Sequence, residues 1–182
     1  MNFNYIIKIE NQEDLDIAKQ LTNEEELKCF IISTEIEDND FVKQVQDNES
    51  IILCDGENET LVEYYKKHSL DGVVINIQDS YKIKKDIKEI KEQIDKNAFI
   101  GARCHISRHE SMLAGEADID FALYSKYNED KEKSLNMISW WNEFFTIQSA
   151  IEGEFEKSDI NQLDEVNTDF IIINAKNYKN LG

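Results

Sequence analysis

A chain of 182 residues is long enough for one domain with its own core, and this one carries a net charge of −18 and no proline. That balance argues against nucleic acid and anionic membrane as partners, because phosphate-rich surfaces are held by Lys and Arg that displace counterions; its plainest consequence is solubility. No apolar run approaches the roughly 20 residues of a membrane span, the opening MNFNYIIKIENQED lacks the basic start and apolar stretch of a signal peptide, and three scattered cysteines in apolar runs, Cys29, Cys54 and Cys104, point to reduced thiols in the cytoplasm.

From the N-terminus onward, short β runs alternate with charged amphipathic stretches. The predicted strands are Tyr5–Ile9, Cys29–Ser33, Ile51–Cys54, Val73–Ile75, Phe99–Ala102, Phe121–Tyr124, Thr146–Ile151 and Phe170–Asn174. They are apolar on both faces and rich in Ile, Val and Phe, as buried parallel strands are. Between the second and third there is room only for a brief helix around Phe41–Gln46. Ile83, Ile87, Ile90 and Ile94 fall on one helical stripe, with Lys and Glu on the other face. Ser107 is placed to cap the next helix, Glu110 to close a capping box, and Gly115 to end it. Leu135, Ile138, Trp141 and Phe145 form a further stripe. Trp140 and Trp141 are adjacent and so face different sides of that helix. One belongs to the core; the other is available for a homo-oligomer or partner contact, the ordinary alternative being a wide buried stripe.

Repeated βα units imply a parallel sheet with right-handed crossovers, and about eight of them imply a closed barrel. The expected architecture is α/β, a single-domain (β/α)8 TIM barrel over residues 1–182. It must be trimmed, since such barrels usually run to about 250 residues. One or two helices should be degenerate: the second, and the last, for which only AKNYKNLG follows Asn174. An open doubly wound sheet is the alternative.

The segment Phe99–Tyr124, FIGARCHISRHESMLAGEADIDFALY, resembles a βαβ unit of the thiamine phosphate synthase family. There a strand ends in Gly-x-Ser/Thr-Cys-His, Ser-Arg-His opens a helix, and Ala-Gly-Glu-Ala closes it. The resemblance implies a TIM barrel with its site at the C-terminal ends of the strands. It also implies a transferase reaction that joins a pyrimidine diphosphate to a thiazole phosphate and expels pyrophosphate. That chemistry uses Mg²⁺ held by carboxylates, with cations and N–H donors around the diphosphate. Leu53-Cys54-Asp55 and Asp71-Gly72-Val73 through Asp79 match the family's metal-bearing strand ends, so Asp55 and Asp79 are the candidate Mg²⁺ ligands. Their ordinary roles are a turn at Asp55-Gly56 and a helix cap at Asp79.

The implied diphosphate cradle is largely replaced. Where the family has Gln-x-Arg-x-Lys, this chain has Ile31, Ser33 and Glu35. The phosphate-binding Ser/Thr after the fifth strand becomes Arg103. Around the sixth strand Ser125 and Glu129–Lys133 replace the family's Gly and Pro-Thr-x-Thr-Lys, with only Lys133 retained. Gly153-Glu154-Phe155 stands for Gly-Gly-Ile, and Asn174 for a Ser. Arg103, Lys133, Gly153 and Asn174 are therefore the residues left to bind a small phosphorylated ligand, while new acids repel one. For Arg103 the ordinary role is a salt bridge to Asp79 or Asp120.

His105 sits where thiazole tautomerases, sisters of the synthase, carry a proton-shuttling His, so it is the catalytic candidate; its ordinary role is a turn residue. Cys104, His105 and His109 lack the further ligand that zinc needs. The sequence thus reads as a synthase-like barrel tied by ancestry to thiamine biosynthesis, with a degenerate diphosphate site and little or no synthase activity. The alternatives are an active Mg²⁺-dependent synthase and a tautomerase using His105. Asp55, Asp79, Arg103, Lys133 and Glu154 are expected to share one barrel mouth.

Overall fold

A computed structural model describes residues 4–181 of the chain. Eight strands and eight helices alternate through it: β1 (Asn4–Ile9), α1 (Gln12–Leu21), β2 (Cys29–Ser33), α2 (Asn39–Asp47), β3 (Ile51–Asp55), α3 (Asn58–His68), β4 (Gly72–Asn76), α4 (Ile83–Lys91), β5 (Phe99–Cys104), α5 (Arg108–Glu116), β6 (Phe121–Tyr124), α6 (Lys131–Phe144), β7 (Gln148–Glu152), α7 (Lys157–Glu165), β8 (Phe170–Asn174) and α8 (Ala175–Leu181). Each strand pairs in parallel with the next, and β8 pairs with β1. The sheet is a closed barrel, not the open doubly wound alternative.

Alternation along the strands sorts their apolar residues into two cores. Ile6, Ile31, Leu53, Val74, Leu123, Ala150 and Ile172 point inward and pack together. Ile7, Phe30, Ile52, Val73, Ile100, Tyr124, Ile151 and Ile171 point outward and pack beneath the helices. Bulk is shared unevenly inside. A Cβ on Gly101 would stand 2.2 Å from the Phe121 ring, so the glycine makes room for the aromatic.

Short helices fit the fold to its length. α2 has nine residues and α8 seven. The longest, α6, has 14. It buries Ile138 and Trp141 completely. Trp141 stacks on Phe145 at 4.2 Å and donates its indole N–H to the Ile147 carbonyl at 2.8 Å. Trp140 is the outer member of the pair, with the Arg108 guanidinium 4.9 Å above its ring. The three cysteines are free, Cys54 and Cys104 buried.

Two details of α5 differ from the sequence reading. The Ser107 hydroxyl accepts the Glu110 N–H at 3.3 Å, as a cap does, but the Glu110 carboxylate turns to Ser80 and His105 instead of closing a capping box. The helix also runs through Gly115 to Glu116. Gly115 packs closely, since a Cβ there would lie 3.2 Å from Trp141 and 3.3 Å from Ile147; the left-handed residue beyond the helix is Asp118.

At the N-terminal end of the barrel one bond recurs three times. Asp71, Asp120 and Asp169 each precede an even-numbered strand and accept an N–H from the start of the strand before it: Ile52 at 2.8 Å, Ile100 at 2.7 Å and Ser149 at 2.8 Å. At the C-terminal end, β3, β4, β5 and β7 run one or two residues past their predicted ends. That extension makes Asp55 and Arg103 strand residues facing the barrel axis instead of loop residues.

Candidate functional site

Each odd-numbered strand sends one charged side chain into the C-terminal mouth: Lys8, Asp55, Arg103 and Glu152. Each follows by two residues an inward position, namely Ile6, Leu53, Gly101 or Ala150, so strand alternation aims it at the axis. Their side chains are only 9–17% exposed, and charges so placed must be paired. Arg103 is forked onto Asp55, with Nη1 to Oδ1 at 2.8 Å and Nη2 to Oδ2 at 2.6 Å. The same guanidinium reaches Asn76 Oδ1 at 2.6 Å and Glu152 Oε2 at 2.7 Å. The other oxygen of Glu152 accepts Lys8 Nζ, which also pairs with Glu10 at 2.7 Å and stands 3.6 Å from Asp55.

These contacts fix the charge states. Burial alone raises the Asp55 carboxyl, but hydrogen bonds and charge from Arg103, aided by Lys8 and Asn76, outweigh it and hold the group below the usual carboxylate range. Burial disfavours the Arg103 cation, and Asp55 and Glu152 more than restore it. Lys8 is held charged against its burial chiefly by Glu152. Two cations and two carboxylates thus cancel inside the mouth, leaving no spare positive charge for a ligand diphosphate.

The surrounding donors are also engaged. The Gly153 N–H donates to the Ile172 carbonyl at 3.2 Å, Glu154 N–H to Asn128 Oδ1 at 2.8 Å, and Phe155 N–H to Asn177 Oδ1 at 2.7 Å. Asn174 Oδ1 accepts the Asn177 N–H at 2.7 Å and so caps α8. Beside them lies a cavity of about 150 Å³ lined by Lys8, Glu10, Glu152, Glu154 and Asn174 among others. An anion there would meet three carboxylates and one lysine that is already paired.

Asp55 and Arg103 meet at the mouth and Glu154 lines the cavity beside Glu152, while Asp79, in the β4–α4 loop, and Lys133, in the first turn of α6, pair with other residues. Asp79 accepts the Tyr81 N–H at 2.9 Å, is 3.7 Å from Lys82, and lines a groove with Asn58 and Asp86 between α3 and α4. Lys133, in the first turn of α6, pairs with Asp130 at 2.7 Å and lines a groove with Ile106 and Arg108. Arg103 does form a salt bridge, but its partners are Asp55 and Glu152. Asp120, one of its expected partners, is bonded to Ile100 at the opposite end of β5. Among the described residues no group of three or more His, Cys, Asp and Glu is arranged to hold a metal. With both Asp55 oxygens in the Arg103 fork and Asp79 on the outer wall, these residues do not fit a Mg²⁺ site as they stand.

His105 directly follows β5 and is half exposed. Its Nδ1 is 3.0 Å from Glu110 Oε2, and the other Glu110 oxygen accepts the Ser80 hydroxyl. Burial raises the Glu110 carboxyl, but these two partners outweigh it and draw it below the usual range. The carboxylate stands between Ser80 and His105, so this is not a nucleophile–base–acid chain. It can only orient the imidazole. Sequence reasoning missed Lys8 and Glu152. For Lys8 the signal was available, since a charge at an inward position of an apolar strand must find a partner; Glu152 falls just past the predicted end of its strand.

A closed parallel barrel of eight strands alternating with helices is the (β/α)8 TIM-barrel fold. Over part of its length the chain is similar to thiamine phosphate synthases. It is 31% identical over 118 residues to a thiamine-phosphate synthase of Erythrobacter litoralis, covering 60% of this chain and 53% of that protein. It is 24% identical over 109 residues to one of Rhodospirillum centenum, covering 57% and 50%. The matched region thus spans about half the length of these curated relatives. The fold is similar to that of a thiamine phosphate pyrophosphorylase of Pyrococcus furiosus, with a TM-score of 0.73 at 15% identity, over 99% of this chain and 95% of that one. No family model matches the chain.

Proposed function

We propose that this chain is a barrel of thiamine-biosynthetic ancestry whose diphosphate site has given way to an internal ion network, and that it synthesises thiamine phosphate slowly or not at all. The observation that carries this reading is the forked pair of Arg103 and Asp55. A carboxylate forked by Arg103 and flanked by Lys8 meets a metal beside two cations that repel it, and a guanidinium neutralised by two carboxylates attracts a leaving pyrophosphate weakly. The engaged N–H groups of Gly153 and Glu154 point the same way. Losing one preorganised donor typically costs about 10²–10³ in rate, and here several change together. A ligand suited to this mouth is small and carries no diphosphate, and free thiols fit a cytoplasmic protein.

The test is turnover of the purified protein with a pyrimidine diphosphate, a thiazole phosphate and Mg²⁺, alongside calorimetry with pyrophosphate. The expected result is no turnover above background and no heat of binding. Robust synthesis that Asp55→Ala abolishes would restore the enzyme reading. One observation favours a second reading, a tautomerase: Glu110 orients a half-exposed His105 beside the mouth, as a proton-shuttling imidazole requires. Proton exchange on a thiazole carboxylate phosphate, lost in His105→Gln, would select it.

A further inference from the structure

The four mouth charges form a closed ring. Lys8 stands 3.6 Å from Asp55, Asp55 is 2.6 Å from Arg103, Arg103 is 2.7 Å from Glu152, and Glu152 returns to Lys8. The signs alternate around the barrel and sum to zero. The ring joins β1, β3, β5 and β7, and at each step it reaches over an even-numbered strand. The inward positions of β2, β4, β6 and β8 carry no charge: their last members are Ser33, Asn76, Leu123 and Asn174. A TIM barrel is filled by layers of four side chains from alternate strands, usually branched and apolar. In this barrel the uppermost such layer is ionic.

We infer that this ring is the register lock of the barrel. Below it, apart from Phe121 set against Gly101, the inward positions are mostly branched and apolar: Ile6, Ile31, Leu53, Val74, Leu123 and Ile172. A slip of two residues keeps a strand's apolar face inward, so such residues distinguish neighbouring registers weakly. A slipped charge loses its partners in a medium of low dielectric, and that is costly. The aspartate bonds at the other end cannot do this work alone. Asp71 ties β3 to β4, Asp120 ties β5 to β6, and Asp169 ties β7 to β8. Each makes a pair of strands; the ring joins the pairs to one another and to β1.

The inference stands apart from the functional reading, since its test does not involve turnover and can fail alone. The full chain is compared with Lys8→Met/Glu152→Gln, which removes a neutral pair, and with a quadruple variant, Lys8→Met/Asp55→Leu/Arg103→Met/Glu152→Leu. The double variant is expected to give a second set of amide resonances from β1, β7 and β8, absent from the wild type. The quadruple variant is expected to keep its helical circular dichroism while losing its single set of sharp amide signals and unfolding over a broader range of urea. One sharp set of signals from the double variant overturns the inference. So does a quadruple variant with a single conformation and the wild-type transition slope. Complete loss of helical signal in the quadruple variant also overturns it, because the ring would then supply stability and not register.

Discussion

Arg103 and Asp55 lie 48 residues apart and hold each other by two parallel hydrogen bonds, of 2.8 and 2.6 Å, across the axis side of β3, β4 and β5. Both are largely buried. Removing one partner would strand the other charge, which typically costs about 3–5 kcal/mol. Arg103→Met is therefore expected to lose about that much stability in urea denaturation. Lys85→Met, which breaks an exposed pair with Glu89, should change it by less than about 1 kcal/mol. Equal, small effects from the two substitutions would mean that the mouth network is decorative.

Acid should weaken the same contact. Burial pushes the Asp55 carboxyl up, but Arg103, Lys8 and Asn76 together hold it below its unfolded value of about 3.9. A group depressed in this way contributes stability that is complete above the unfolded pKa and is lost as pH falls through the folded one. Urea midpoints should therefore drop as pH is lowered below about 4. In Asp55→Asn the acid limb should be shallower, because the amide does not titrate, while Glu110 and Asp159, also held below their ordinary range, keep it from vanishing. Acid limbs of equal slope in both proteins would remove Asp55 from this account.

Most of the barrel is legible in the sequence because its signals are local. β2, β6 and β8 begin and end where the apolar runs do, and the stripe of Ile83, Ile87 and Ile90 is buried. The site was less legible for a physical reason. Which carboxylate neutralises Arg103 depends on strand order and register, not on nearness in sequence, so Asp79 and Asp120 were plausible partners and Glu152 was invisible. Periodicity also stops each strand at its last apolar residue. It therefore left Asp55 and Arg103 in loops, where a residue reads as a ligand-binding group and not as a member of the interior. Lys133 and Asp79, which the resemblance offers as ligands, line grooves between helices.

The interior should be intolerant of added bulk where Phe121 lies. A Cβ at Gly101 meets three atoms of that ring at 2.2, 2.5 and 2.9 Å, and the edge of Phe170 packs against the same ring with centroids 6.2 Å apart. Gly101→Ala is expected to cost about 1–3 kcal/mol through overpacking. The double variant Gly101→Ala/Phe121→Leu should recover part of that loss, since a smaller side chain vacates the space. Absence of any coupling between the two changes, measured by a double-mutant cycle in urea, would show that the strain lies elsewhere.

The last expectation concerns Mg²⁺. A Mg²⁺ ion needs few protein ligands, but those must be oxygens free to enter its octahedron, and it gives up its own water reluctantly. Asp55 spends both oxygens on Arg103, and Asp79 accepts a backbone N–H on the outer wall beside Lys82. For Mg²⁺ to reach Asp55 it would have to displace a guanidinium that is also bonded to Glu152 and Asn76. Displacement would leave that cation buried without its main partner. Calorimetric titration should accordingly give negligible Mg²⁺ binding for the wild type, for Asp79→Asn and for Asp55→Asn alike. Arg103→Ser frees the Asp55 oxygens, yet it should still bind no pyrophosphate, because Glu152 and Glu154 remain to repel that anion. Saturable Mg²⁺ binding by the wild type that disappears in Asp79→Asn would mean that Asp79 moves to the mouth and that the closed ion network is not the only state of the barrel.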